Sequence, residues 1–196
     1  MSTTLTMDLH LPMEALHAGL DEIRRSPRDG GRLACIVRRP ATDAREAVDR
    51  ATLSVEDGLA GDNWRARGSR RMPDGTAHPD MQLTLMNARA IDLIARTPER
   101  WPLAGDQLFV DLDLSGENLS AGTRLAVGEA VIEVTTQPHT GCHKFVDRYG
   151  ADAMKFVNSE VGRALNLRGI YARVVTPGAI RVGDRVTKIV EAPPAG

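Results

Sequence analysis

The segment Gln137-Pro138-His139-Thr140-Gly141-Cys142-His143-Lys144-Phe145 sets one thiol among three potential cations. A thiol beside Lys144, a protonated His139 or His143, or the start of a helix is stabilised as the thiolate, the form that acts as a nucleophile or as a ligand to a soft metal. Cys142 is therefore the candidate reactive residue, with His139 and Lys144 as candidate catalytic neighbours. The same residues also fit a half-buried structural thiol beside solvated histidines. The other cysteine, Cys35, stands inside the apolar run Leu33-Ala34-Cys35-Ile36-Val37, where a thiol behaves as a small hydrophobe. Zinc held by His139, Cys142 and His143 is disfavoured. Adjacent residues point apart in extended chain, no fourth ligand is in view, and neither CxxC nor HExxH spacing occurs.

Two further segments could meet a ligand. Gly58-Leu59-Ala60-Gly61-Asp62 is followed by Arg65, Arg67, Arg70 and Arg71, and guanidinium forks suit phosphate or carboxylate. Asp62, Arg65 and Arg67 are the candidate ligand-binding residues of this stretch, although a solvated surface loop would have the same composition. Ser115-Gly116-Glu117-Asn118-Leu119 places the amide of Asn118 in a turn, where it could bind a polar ligand or serve ordinary turn chemistry.

The elements that must position these residues are short. Residues 11–25 set Leu11, Ala15, Leu16, Leu20 and Ile23 near helical spacing before Ser26-Pro27 and Gly30-Gly31 end the pattern. Strands are expected at 32–38, 51–55, 81–86, 107–112, 124–127, 130–136, 169–175 and 185–190. Helices are expected at 88–96, capped by Asn87, and at 147–167, weakened by Gly150 and Gly162. Residues 61–80 lack any apolar period and read as a long surface loop. About eight strands with two or three helices at their margins give a mainly β fold, a β-barrel, rather than repeated βαβ units. One domain is expected, with residues 1–31 as a helix and turn belonging to the same unit as the barrel of 32–196.

Composition narrows the function classes. Lys and Arg number 25 against 26 acidic residues in a chain of 196, so no global field draws it to nucleic acid or an anionic membrane. Aromatic residues are only 4 %, which leaves the core to Leu, Val, Ile and Ala. No apolar run approaches the roughly 20 residues of a membrane span. Asp8, Pro12 and Glu14 interrupt the opening stretch where a signal peptide would be apolar, so the expected address is the cytoplasm.

In their order along the chain, these segments resemble the MOSC domain, named for the C-terminal part of molybdenum cofactor sulfurases. The likeness runs through Gly58-Leu59-Ala60-Gly61-Asp62, Met81-Gln82-Leu83-Thr84-Leu85-Met86, Gly116-Glu117-Asn118-Leu119, Leu125-Ala126-Val127-Gly128, Cys142-His143-Lys144-Phe145 and Gly178-Ala179-Ile180-Arg181-Val182-Gly183-Asp184. The resemblance implies a strand-rich barrel that binds the molybdenum cofactor (molybdopterin). Cys142 matches the family's cysteine, which coordinates molybdenum or holds sulfur, and the basic loop with Asn118 would hold the pterin phosphate. Members acting as amidoxime reductases add an N-terminal partner barrel, for which this chain is too short. They also show Arg-Pro-Asn where this sequence has Gly116-Glu117-Asn118, so other arginines must replace the missing one. A pyridoxal-phosphate lysine domain is absent, so cysteine desulfuration is not expected. Two functions follow from the likeness. One is an oxidoreductase acting on N-hydroxylated compounds with a redox partner. The other is a carrier that passes a persulfide or the cofactor from Cys142 to an acceptor molybdoenzyme. A barrel binding some other anionic small molecule is the third possibility.

Overall fold

A strand that is apolar on both faces must be covered on both, and that requirement organises this chain. The computed structural model describes residues 9–189. In chain order its elements are α1 (Met13–Ala18), α2 (Leu20–Arg24), β1 (Gly31–Arg38), β2 (Glu46–Val48), β3 (Arg50–Ser54), β4 (Gly58–Leu59), α3 (Trp64–Arg67) and a 3₁₀ turn (Pro79–Met81). There follow β5 (Leu83–Asn87), α4 (Ala88–Ala95), a second 3₁₀ segment (Pro98–Ala104), β6 (Leu108–Asp111), β7 (Arg124–Val127) and β8 (Ala130–Val134). The chain continues with α5 (His143–Asn158), α6 (Glu160–Ala164), β9 (Ile170–Thr176), β10 (Gly178–Arg181) and β11 (Arg185–Ile189).

Seven strands close a barrel in the order β1-β6-β5-β9-β8-β7-β11, with β11 returning to β1 through Gly31 and Val186. Strand β2 pairs with the end of β1, and β10, β3 and β4 make a small second sheet. Within the barrel β5 and β6 run parallel, Leu85 facing Leu108. Parallel neighbours cannot be joined by a tight turn, so α4 and the second 3₁₀ segment form the crossover between them.

Two apolar clusters share the barrel wall. Leu33, Ile36, Leu83, Leu85, Leu108 and Val110 point inward with Leu125, Ile132, Ala172 and Val186. Val37, Met86 and Phe109 point outward against Leu16, Leu20, Ile91, Ile94, Phe145, Tyr149 and Phe156 of the helices. Burying each such side chain contributes about 1.5–3 kcal/mol. A register shift between Leu33 and Cys35 lets Leu33 and Ile36 both face the interior while Cys35 packs outward. Burial, and secondarily Asp49, pushes the Cys35 thiol up to about 11, in keeping with a packing role.

The mainly β barrel with peripheral helices is as the sequence implies, and several details differ. The helix of 11–25 is two helices divided at Gly19. Residues 61–80 are not all loop, since α3 and the first 3₁₀ turn lie within them. Helix α5 starts at His143 rather than 147 and is broken at Gly150, and Ser159 separates it from α6. Strands β2, β4 and β10 and the 3₁₀ segment after α4 were not expected from the pattern. The last residue of the expected 185–190 strand and the two ends of the expected unit lie outside the described residues. No described helix is long and apolar enough to cross a membrane.

Candidate functional site

Alternation along β5 and β9 builds the floor of a cleft. Leu83 pairs with Ala172, Thr84 with Tyr171 and Leu85 with Ile170. The apolar members of these pairs fill the barrel, so Thr84 and Tyr171 fall on the outer face. Buried amides lock this region. Gln107 Oε1 accepts from Thr84 N at 2.8 Å and Thr84 Oγ1 at 3.0 Å, and Gln107 Nε2 donates to Gln82 O at 3.2 Å.

The loop from β8 to α5 lies over this floor. Gly141 N donates to Asn158 Oδ1 at 3.1 Å, and a Cβ on Gly141 would come within 2.5 Å of Met154 Sδ, so a side chain there would have to displace Met154 for the loop to lie this close to the far half of α5. Cys142 follows in extended conformation as the N-cap residue of α5, its carbonyl accepting from Phe145 N at 2.8 Å. Its side chain caps nothing, and the residue is exposed. Three residues earlier, the His139 ring packs on Tyr171 with centroids 4.5 Å apart. Burial first, then Arg168 and Arg39, push this imidazole well below its ordinary pKa, which keeps it neutral.

Cations from distant parts of the chain converge here. The cleft, about 400 Å³, is lined by Arg39, Arg45, Arg67, Arg70, Arg71 and Arg168 with Lys144 and Arg148 of α5, and by no Asp or Glu. Arg39, just past β1, makes a two-pronged bond to Asp62, Nε to Oδ2 and Nη2 to Oδ1 at 2.8 Å each, while its Nη1 donates to Gly105 O at 3.0 Å. Arg168 donates to Asp106 Oδ2 at 2.6 Å and to Ala104 O at 3.1 Å, with its guanidinium over the Phe145 ring. Burial raises the pKa of Asp106 against the opposing pull of Arg168. Arg148 donates to Leu103 O at 2.6 Å, and Asp43 lies 2.7 Å from Lys144 and 3.5 Å from Arg148. Arg45 and Arg67 titrate below the ordinary arginine range. Burial is the first cause for both, followed by Arg148 and Arg39 for Arg45 and by Arg39 for Arg67. Mutual repulsion of this kind, undiluted by lining carboxylates, makes a cleft attractive to anions.

The sequence-derived candidates divide. Cys142, His139, Lys144 and Arg67 meet in the cleft. Asp62 does not face it, because its side chain is 0 % exposed and is occupied by Arg39 and by Trp64 N. Arg65 pairs with Asp57 on open surface at 2.9 Å. Asn118 belongs elsewhere. Its Nδ2 donates to Arg28 O and Asp113 O, and its Oδ1 accepts from Lys188 Nζ. The preceding Ser115, Gly116 and Glu117 line a different hollow, where Asp113 and Glu117 offset two of the three charges of Arg24, Arg28 and Arg163. His143 is 89 % exposed and turned to Asp147, and among the described residues no group of three or more His, Cys, Asp or Glu could hold a metal ion. Sequence reasoning missed Arg39, Arg45, Asp106, Arg148, Arg168 and Tyr171. Arg39, Arg45, Asp106, Arg168 and Tyr171 lie far apart in the chain and meet only through the fold, while Arg148 enters one helical turn after Lys144 on α5.

Comparison with known proteins agrees with this architecture. The family model for the MOSC domain matches residues 72–187, a span that contains Cys142. Among solved structures, a hypothetical protein aligns at 21 % identity and TM-score 0.56, covering 83 % of this chain and 70 % of its own. YiiM from Escherichia coli aligns at 22 % and 0.52 over 82 % and 71 %. The YUAD protein from Bacillus subtilis aligns at 18 % and 0.55 over 80 % and 93 %. At such identities the likeness is one of fold. A comparison with curated proteins found no match.

Proposed function

Because the chain belongs to the MOSC domain family, known for molybdenum cofactor binding, we propose that the Cys142 cleft takes that cofactor and that the chain reduces N-hydroxylated compounds there. The observation that carries this reading is the meeting, in one cleft, of an exposed thiol with eight cations and no lining carboxylate.

The donor set suits the group. A thiolate is a fitting ligand for molybdenum, and guanidinium forks match the pterin phosphate. Arg45 Nε and Arg168 Nε are sealed from water without a hydrogen-bond partner, and such unmet donors on a cleft wall favour an anion within it. Arg45, Arg67 and Arg148 would hold the phosphate and Cys142 the metal. When bound, the cofactor supplies two-electron redox chemistry. Thr84 and Tyr171 form the floor on which substrate rests. Arg39 and Arg168, pinned by Asp62 and Asp106, keep the basic wall rigid. Reduction of R–NH–OH to R–NH2 and water consumes two electrons and two protons, the electrons coming from a redox partner.

A sulfur or cofactor carrier is the second reading, favoured by the exposure of Cys142 and by its side chain capping no helix N–H. One preparation decides between them: protein from a cofactor-competent host, assayed for molybdenum, for pterin fluorescence, and for turnover of an N-hydroxylated nucleobase with reduced viologen. The wild type is expected to hold molybdenum and to turn over, while Cys142→Ala loses both by about tenfold or more. Equal molybdenum in the two proteins would sink the ligand role. A persulfide mass on Cys142 without turnover would favour the carrier.

A further inference from the structure

Two polar atoms behind the cleft face each other with nothing bonded to either. Asp106 Oδ1 and His139 Nδ1 are both sealed from solvent without a hydrogen-bond partner, and they stand 3.6 Å apart. Their surroundings fix both. The Asp106 side chain is 0 % exposed, and its other oxygen is taken by Arg168 at 2.6 Å. The imidazole is held against Tyr171 and lines the cleft.

We propose that Asp106 is a positioning residue that holds His139 as the Nδ1–H tautomer and so presents the Nε2 lone pair to the cleft, as a hydrogen-bond acceptor for an N–H or O–H of the substrate. The unmet acceptor and the unmet ring nitrogen are complementary, and closing the gap by a few tenths of an ångström makes a normal bond. The 2.6 Å bond from Arg168 Nη1 occupies Oδ2 of Asp106 and leaves Oδ1 as the oxygen turned to the ring, where it accepts from Nδ1–H. Burial and the nearby Arg168 and Arg39 keep the ring neutral, which leaves Nε2 free of a proton once Nδ1 carries it. Guanidinium and ammonium groups only donate, so a cleft walled by them needs an acceptor to orient an N–H or N–OH group. This part in turnover rests on the reductase reading, whereas the tautomer does not.

The test reads the two separately. In cofactor-free protein labelled with ¹⁵N-histidine, long-range ¹H–¹⁵N spectra between pH 6 and 8 report the protonated nitrogen of His139, assigned by its loss in His139→Gln. The wild type is expected to show a neutral ring protonated at Nδ1. In Asp106→Asn the amide oxygen stays with Arg168 and the NH2 turns to Nδ1, which moves the ring proton to Nε2. A wild-type ring protonated at Nε2, or at both nitrogens at pH 7, overturns the proposal. If Asp106→Asn does not fold, the wild-type and His139→Gln spectra decide alone. In loaded protein, Asp106→Asn keeps its molybdenum and loses kcat/KM for the N-hydroxylated nucleobase by about tenfold or more. Unchanged kcat/KM with the shifted tautomer removes the acceptor role. A wild type that carries molybdenum but does not turn over removes the reductase reading and leaves the tautomer result standing.

Discussion

Arg39 is held by two carboxylate bonds and one carbonyl bond, while Asp62 also accepts from the backbone N–H of Arg39 and of Trp64. A charge pair this buried stabilises little in net terms, but breaking it strands a charge. Asp62→Ala is expected to cost about 3–5 kcal/mol, read as a lower urea midpoint with an unchanged slope. Arg65→Ala, which removes an exposed pair with Asp57, should cost at most about 1 kcal/mol. Similar losses in the two variants would contradict the assignment of Asp62 to the frame of the cleft. The cysteines divide in the same way. Cys35 is part of the packing between sheet and helices, and Cys142 stands free at the edge of the basic wall.

Helix α5 carries Lys144 and Arg148 into the cleft and Phe145 and Tyr149 into the outer cluster on adjacent faces of its first two turns, and after a break at Gly150 it adds Phe156 to the same cluster. Gly150 lies at φ +89°, and a Cβ there would meet the His10 ring at 3.1 Å. Gly150→Ala is therefore expected to destabilise the fold by roughly 1–3 kcal/mol, where a helix-interior glycine would gain from the change. A thermal melt that rises in the variant would contradict this. The kink explains why the sequence pattern of 147–167 looked weak, and the cap explains why the start was placed late, since Cys142 offers none of the usual Ser, Thr, Asp or Asn cues. The barrel strands were legible because Leu and Val alternate along them. Strands β2, β4 and β10 have two to four residues and too little alternation to read. The candidate site was legible only where chemistry is local. Cys142, His139 and Lys144 share one segment, whereas Arg39 reaches Gly105 across 66 positions and Arg168 reaches Asp106 across 62.

Over the whole molecule a formal net charge of −1 conceals a basic cleft, so recognition rests on placement rather than on total charge. Buried thiol and phenol groups also shape stability at high pH. The Cys35 thiol is raised from 9.0 to about 11, chiefly by burial, and Tyr149 and Tyr171 are raised for the same first reason. The unfolded chain therefore releases these protons before the folded one does. Stability should be full below about pH 9 and fall as pH rises from there toward 11. Melting temperatures between pH 8 and 11 should show this decline, with a shallower slope in Cys35→Ala. An unchanged slope would remove Cys35 from the account. The seam of the barrel has a separate consequence for synthesis. Every residue of the cleft, from Arg39 to Tyr171, precedes β11 in the chain, yet the ring closes only when Val186 reaches Gly31. A ribosome thus delivers the whole binding wall before the strand that locks it, and long-range closure of this kind is the slow step of β topologies. The nascent chain passes through a stage in which the cleft has all its groups but not its frame.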